Sequence, residues 1–242
     1  MPFVAAPSLA QAAPAAAAAR PAIEPESIEA LEKMSAFLAT LPALELTSQT
    51  SLDLVTKDGQ RVQVDGVARY KIRRPDGFVI ETVTPLKTRK FIYDGKQFTI
   101  AAPALGYYAT VPAPPTNSQT LDVLWDRFKI QLPLEDLFRW SDPSKRRREA
   151  VQSGFDVGPA VIDGIDTEQY AFREGTLDWQ VWIKEGDQPL PLKLMIVDRS
   201  DPAAPAYIAR LTWNLTPTLT AEDFKFHPAP DAKPIRLTAA SQ

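Results

Sequence analysis

The sequence lacks cysteine altogether and has a single histidine, His227, among its 242 residues. A chain without cysteine has no disulfide, thiolate zinc site, iron–sulfur cluster or cysteine nucleophile. A lone imidazole cannot share a metal with a second one, and no Gly-x-Ser-x-Gly segment marks a serine nucleophile. We therefore predict no catalytic residue, no metal and no cofactor, and we interpret His227 as an ordinary surface or capping side chain.

The sequence also lacks a charge of one dominant sign, because 27 Lys and Arg stand against 30 Asp and Glu. Nucleic acid selects a strongly basic surface, so we expect no nucleic-acid partner. No apolar run approaches the ~18 residues of a membrane span. The one run of like charges consists of Lys145, Arg146, Arg147 and Arg148. It is typical of a solvated loop, and the alternative is contact with anionic lipid headgroups or an acidic partner.

Residues 1–20 are rich in Ala and Pro and have no charge before Arg20. Ala10, Gln11 and Ala12 have the small-x-small form of a signal-peptidase site. We interpret 1–20 as a signal-peptide remnant, the alternative being a disordered low-complexity leader. The mature chain would then begin near Ala13, as a soluble, exported protein of the periplasm. Residues 21–242 are predicted to form a single domain, and we expect a monomer.

The rest of the chain alternates between helical and strand patterns. Apolar residues recur every three or four positions over 26–41, which predicts an amphipathic helix ended by Pro42. Apolar and polar residues alternate over 61–73, 177–183 and 207–215, which is typical of strands with one buried face. Four Asp-Gly pairs suit tight hairpin turns: Asp58-Gly59, Asp76-Gly77, Asp94-Gly95 and Asp163-Gly164.

Two β-rich blocks, 44–111 and 151–216, are separated by a helical region. Asn117 or Ser118 can cap a helix there, and Pro133 suits the first residue of a short second one. Consecutive hairpins exclude a βαβ dinucleotide fold. We predict an α+β fold in which a strongly curved antiparallel sheet, a half-barrel, has helices packed in or over its concave face.

Several short sequence motifs, spread over about 24–236, resemble those of the DUF2092 family of predicted periplasmic proteins. They include Tyr93-Asp94-Gly95-Lys96, Ala171-Phe172-Arg173, Asp178-Trp179-Gln180-x-Trp182-Ile183 and Phe224-x-Phe226-x-Pro228. The resemblance implies a periplasmic location. It implies no activity, because the family has none established.

The layout also resembles the outer-membrane lipoprotein carriers LolA and LolB. The shared features are an opening helix, a curved sheet, the Arg74-Pro75 pair and the Asp94-Gly95-Lys96 hairpin. This resemblance implies a hydrophobic half-barrel that accepts acyl chains, with Arg74 holding helices over its opening. We expect the acceptors for Arg74 to be helix-end or loop carbonyls of 116–140.

These resemblances imply non-enzymatic binding of a lipid or a lipoprotein acyl chain. The candidate ligand-binding residues are Arg74, Tyr70, Tyr93, Phe98, Tyr108, Trp179 and Trp213. Packing in the core is the alternative role for each aromatic residue. On one strand, Trp179 and Trp182 point to opposite faces, so at most one of them lines a hollow.

Two other functions stay open at this point. One is a cell-envelope protein–protein interaction module with a filled core. The other is a hydrolase built on carboxylate pairs such as Asp163 with Asp166, or Glu222 with Asp223.

Overall fold

A computed structural model describes residues 22–135 and 150–239. The predicted leader 1–20 and the basic run 145–148 lie outside these residues. The described part of the chain forms helices α1 and α2 and one curved sheet of twelve strands. The helices are α1 Pro25–Thr40 and α2 Asn117–Phe128. The strands are β1 Ala43–Val55, β2 Arg61–Arg73, β3 Gly77–Val83, β4 Thr88–Tyr93, β5 Gln97–Ala102, β6 Tyr107–Pro112, β7 Val151–Ile162, β8 Ile165–Glu174, β9 Leu177–Lys184, β10 Pro191–Asp198, β11 Ala206–Asn214 and β12 Lys233–Pro234.

The strands follow the order β12-β6-β5-β4-β3-β2-β1-β11-β10-β9-β8-β7 across the sheet. Each β block is a series of hairpins, and the pairing of β1 with β11 joins the two blocks in the middle. All neighbouring strands are antiparallel except β12, which pairs in parallel with β6. The predicted α+β class with a curved antiparallel sheet is confirmed.

Both edges of the sheet are covered by short segments from near the chain ends. At the β7 edge, the amide of Glu24 donates to the Gly154 carbonyl at 2.8 Å, and the amide of Gly154 donates to the Ala22 carbonyl at 3.0 Å. At the β6 edge, the amide of Ile235 donates to the Tyr108 carbonyl at 2.8 Å. Unpaired edges invite pairing with other chains, so these additions protect the fold from aggregation.

Helix α1 lies against one face of the sheet and buries Ile28, Leu31, Met34 and Leu38. Its first turn approaches β7 so closely that a Cβ at Gly154 would lie 2.8 Å from the Ser27 Oγ. The predicted helix 26–41 agrees with α1 to within one residue at each end.

Helix α2 begins one residue away from the predicted cap. Thr116 is the N-cap, and its hydroxyl accepts a hydrogen bond from the Gln119 amide at 3.3 Å. Asn117 instead ties the helix to the sheet, because its Nδ2 donates to the Arg73 carbonyl at 2.9 Å. The helix buries Leu121, Leu124 and Phe128. The short helix predicted from Pro133 extends beyond the described residues.

Three of the four Asp-Gly pairs predicted to form turns have the expected left-handed glycine: Gly59, Gly95 and Gly164. Gly77 differs, because it begins β3 and has no positive φ. A Cβ there would lie 3.0 Å from the Phe224 ring. The reason for a glycine at this position is therefore close packing rather than turn geometry.

Among the described residues, no helix has the length and apolar character needed to cross a membrane.

Candidate functional site

The two helices pack on one face of the sheet, called here the inner face. Residues directly opposite each other on paired strands point to the same side. The pairs Phe98–Tyr93 and Tyr93–Phe78 trace this face through one half of the sheet. In the other half, Trp179 and Tyr207 both pair with Ile196 of β10, so they lie on the same face. Five predicted aromatic residues lie on the inner face: Tyr70, Tyr93, Phe98, Trp179 and Trp213.

Tyr108 lies on the opposite, outer face, so the register separates it from the other five predicted aromatic residues. It pairs with Ala101, whereas Ala109 pairs with the inner-face residue Ile100. Its ring packs 4.9 Å from the ring of Phe226, in the segment that crosses the outer face. Side chains alternate along a strand, and Tyr107 rather than Tyr108 occupies the inner position.

One part of the inner face, the closed region, is completely covered by protein. Five of its residues are almost completely buried: Leu44, Leu46, Tyr70, Tyr93 and Phe98. The Phe78 ring lies 5.3 Å from Tyr93 and 6.3 Å from Phe98. The Tyr93 hydroxyl donates to the Pro114 carbonyl, just before α2. In the described structure, these aromatics serve as core.

The two tryptophans of the candidate site differ in environment. Trp179 is buried and stacks on Phe172 with ring centroids 4.2 Å apart. Trp213 is half-buried, and its Nε1 donates to the Pro191 carbonyl at 2.8 Å. The register confirms that Trp182 points to the other face, where the Lys193 Nζ lies 4.1 Å from its ring centroid.

Arg74 binds the end of helix α1. Its Nε donates to the Leu41 carbonyl at 3.1 Å and its Nη2 to the Leu38 carbonyl at 3.3 Å, at the end of α1. These two carbonyls belong to the last turn of α1, and part of the expected 116–140 segment lies outside the described residues. Strand register explains the contact with α1, because Ala43 pairs with Arg73 and so places Arg74 beside the helix end. The last turn of α1 has no basic residue of its own, and Arg74 supplies the positive charge favoured there.

A second part of the inner face, the open strip, consists of Leu52, Leu54 and Val62 at the far end of β1 and β2. Their exposed fractions are 42%, 36% and 42%. Leu54 pairs directly with Val62, and Leu52 pairs with Tyr207 on the other side. The strip was not singled out from the sequence, although its residues continue the same alternation as the closed region.

Buried hydroxyl groups lie next to the strip. The Ser48 Oγ and the Tyr207 hydroxyl are both buried. Burial raises the pKa of Tyr207 to about 12, although a hydrogen bond with the Ser48 hydroxyl lowers it in part. The Ser35 Oγ, on the buried side of α1, has no hydrogen-bond partner within the described structure.

An acidic corner occupies the β7–β8 end of the sheet. Burial, together with the hydrogen bond and charge of Asp156 and the charge of Glu185, raises the pKa of Glu168 to about 7. Burial and these same charges raise the pKa of Tyr170 to about 12. Within the described residues, no group of three acids or imidazoles has a metal-binding arrangement. Burial and the neighbouring carboxyl of Asp156 both favour the protonated form of Glu168, and so they raise its pKa.

Each carboxylate pair predicted for a hydrolase includes at least one member with a cationic partner. Asp163 binds Arg210 at 2.8 Å, and Asp223 binds Lys71 at 2.6 Å. The pKa of the Asp223 carboxyl is held well below its usual range, mainly by the Lys71 hydrogen bond. His227 is exposed and lies 2.6 Å from Glu222, which fits the surface role expected for it.

Comparisons with known proteins place this arrangement in context. Residues 27–238 match a family model described as predicted periplasmic protein, DUF2092. An uncharacterized conserved protein from Thermus thermophilus has a similar fold, with 14% identity, a TM-score of 0.50, and coverage of 87% of this chain and 99% of that one. At this identity the similarity supports the fold alone.

Two other solved structures align more loosely. LprF from Mycobacterium bovis has 14% identity and a TM-score of 0.44, over 83% of this chain and 98% of that one. A LolA superfamily protein from Nitrosomonas europaea has 10% identity and a TM-score of 0.35, over 83% and 97%. A search of curated proteins gives no match. Because the family model spans most of its length, this chain belongs to the DUF2092 family of predicted periplasmic proteins, in agreement with the location predicted from the sequence.

Proposed function

We propose that this protein binds a hydrophobic ligand, a lipid or a lipoprotein acyl chain, on the inner face of its sheet and performs no chemistry on it. The observation that supports this function best is the open strip. Three large aliphatic side chains there remain exposed on the face whose other end is core. Contiguous exposed apolar surface on a concave face is typical of a ligand or interaction site.

The energetics favour an acyl chain on this surface. Each methylene group removed from water contributes ~0.8 kcal/mol, so ten of them contribute about 8 kcal/mol before the cost of association. The acyl chain would lie on side chains that are already ordered by strand pairing. Leu52 has Tyr207 on one side and Val64 on the other. Binding would then cost little side-chain conformational entropy.

Arg74 is proposed to act on this site through α1. Its two bonds hold the end of the helix that covers the closed region. Loosening that end would change how far the inner face is covered, and therefore how a ligand enters. Arg74 in this account is a positioning residue, with no contact to the ligand.

A titration with a fluorescent fatty-acid probe tests the proposal. We expect Val62→Gln, which places an amide on the inner face, to weaken probe binding by about tenfold or more. Val83→Gln is the matched control, because Val83 is 38% exposed on a neighbouring strand but points to the outer face. Equal affinities of the two variants would remove the open strip as the site, and an absence of probe binding by the wild type would contradict the function.

A second candidate function is an interaction module of the cell envelope. Two loop residues at the strip end of the sheet, Leu86 and Leu105, are 69% and 62% exposed. Such side chains suit a protein partner as well as a lipid surface. If the wild type binds no probe, and Leu86→Ser with Leu105→Ser abolishes a periplasmic cross-link made by the wild type, this second function replaces the first.

A further inference from the structure

One charged side chain lies on the inner face of β1–β6, the half of the sheet whose residues the structure describes in full. It is Arg89, near the start of β4. Arg89 pairs with Thr82, which in turn pairs with the buried inner-face residue Ala68. The other inner-face positions of these six strands hold uncharged side chains. A half-buried cation on an apolar face loses part of its hydration, which a partner of opposite charge would offset.

Arg89 differs from the cations of the outer face in its partners. On that face, Lys71 binds Asp223 at 2.6 Å, and Arg73 binds Asp76 at 3.2 Å. Among the described residues, Arg89 makes one hydrogen bond, in which its Nη1 donates to the carbonyl of the residue before it at 3.0 Å. A guanidinium has five N–H donors, so most of those of Arg89 are available to a ligand.

A partly exposed path along the inner face joins Arg89 to the open strip. Val64 follows the strip on β2 and is half-buried. Gly66 comes next, and a Cβ there would lie 2.9 Å from the Thr84 Cγ2, so Thr84 continues the path toward β3. Thr82 is the next inner-face residue of β3 and pairs with Arg89. The path covers ~13 Å along the strands and ~10 Å across them, which is within the length of one long-chain lipid.

We propose that Arg89 binds the anionic head group, a carboxylate or a phosphate, of a lipid whose hydrocarbon lies on the open strip. This inference rests on the proposed function and specifies its ligand as an amphiphile with a negatively charged head group. The planar guanidinium can donate two parallel hydrogen bonds to an oxyanion, and the apolar surroundings strengthen the attraction. The acidic corner, with Asp156 and Glu168, lies on β7 and β8 at the other edge of the sheet.

The test compares two lipids that share one acyl chain and differ by a phosphate, monopalmitoylglycerol and the corresponding lysophosphatidate. Each is delivered from cyclodextrin to the full chain in equilibrium dialysis. The wild type should prefer the phosphate. Arg89→Gln should weaken binding of the lysophosphatidate by about tenfold, the value of a charge-assisted hydrogen bond, and leave binding of the neutral lipid unchanged. A second pair, palmitate and methyl palmitate, shows whether a carboxylate is bound in the same way.

Lys90→Gln is the matched control. Lys90 is the next residue on the same strand and loses the same charge, but it pairs with Glu81 on the outer face. Its substitution should leave the affinity for the lysophosphatidate within about twofold of the wild type, because an exposed charge at a distance is largely screened. Arg89→Lys, which keeps the charge but loses the planar fork, should retain part of the preference.

The outcomes separate this subsite from the function. Uptake of none of the four lipids by the wild type would overturn the proposed function and the subsite together. Uptake without preference for either anionic lipid would overturn the subsite alone. An equal loss in Arg89→Gln and Lys90→Gln would do the same, since the attraction would then come from the overall charge. Loss of neutral-lipid binding in Arg89→Gln, with an unchanged circular dichroism spectrum, would contradict the role of Arg89 toward the head group.

Discussion

Leu46 and Leu52 lie on the same face of the same strand, yet 1% of the first and 42% of the second is exposed. On β2 the same contrast separates Tyr70, at 1%, from Val62, at 42%. The alternation of side chains decides which face a residue occupies, whereas the position of the helices decides whether that face is covered. The inner face is thus core at one end and surface at the other.

The direction of α1 explains part of the contrast. Its first turn packs against β7 at one edge of the sheet and its last turn lies beside the start of β1, so the helix crosses the strands and does not follow β1. Because α1 is held beside the first residues of β1 by Arg74, the far end of the strand stays outside its reach.

The largest expected effect comes from the covered part of the inner face. Trp179→Ala should lower the free energy of unfolding by about 3–5 kcal/mol, because it removes a buried ring stacked on Phe172. Urea denaturation followed by circular dichroism measures the change. An unchanged denaturation midpoint would mean that Trp179 is not core.

The most direct comparison of the two regions uses one substitution at two places. Leu46→Ala should lower the free energy of unfolding by about 2–5 kcal/mol, since it opens a cavity in the closed region. Leu52→Ala should lower it by less than about 1 kcal/mol, since that side chain is partly in water already. Similar losses for both variants would show that the strip is covered in solution.

Arg74 tests how the helix position is maintained. Arg74→Leu removes two charge-assisted bonds to helix carbonyls and should lower the free energy of unfolding by roughly 1.5–3 kcal/mol. It should also change the affinity for the fatty-acid probe. Arg73→Leu should change that affinity less, because Arg73 stacks over Phe224 in the cluster on the outer face. Equal effects of the two substitutions on probe affinity would contradict the positioning role.

The smallest expected effect concerns pH and the acidic corner. The pKa of Glu168 is raised from 4.5 to about 7, so the folded state binds more protons than the unfolded state between these values. Stability should therefore fall as pH rises from about 4.5 to 7 and level off above that range. In Glu168→Gln this contribution to the fall should be absent, as thermal midpoints at pH 5 and pH 8 would show. An unaltered pH dependence would mean that Glu168 titrates normally.

Much of the fold follows from local pattern. The alternation of β2 predicted its bounds, Arg61–Arg73, because a strand with one wet face shows its period directly. The partner of Arg74 required the register of β1 against β2, which depends on contacts between distant parts of the chain. For the same reason the face of Tyr108 could not be read from the sequence, because its strand is short and its orientation depends on the pairing with β5.

The candidate site was less predictable. Sequence reasoning identified aromatic residues on strands but could not show that Tyr93 and Phe98 would be fully covered. It also passed over Leu52 and Val62, since exposure depends on where α1 ends relative to the sheet. The burial of Ser48 carries no local signal at all, because it is a property of the assembled core.

Native mass spectrometry of protein purified gently from the periplasm tests the central claim most directly. The account predicts a population whose extra mass equals one lipid molecule, with lower occupancy in Val62→Gln and unchanged occupancy in Val83→Gln. A wild-type spectrum that contains only the bare polypeptide would contradict it.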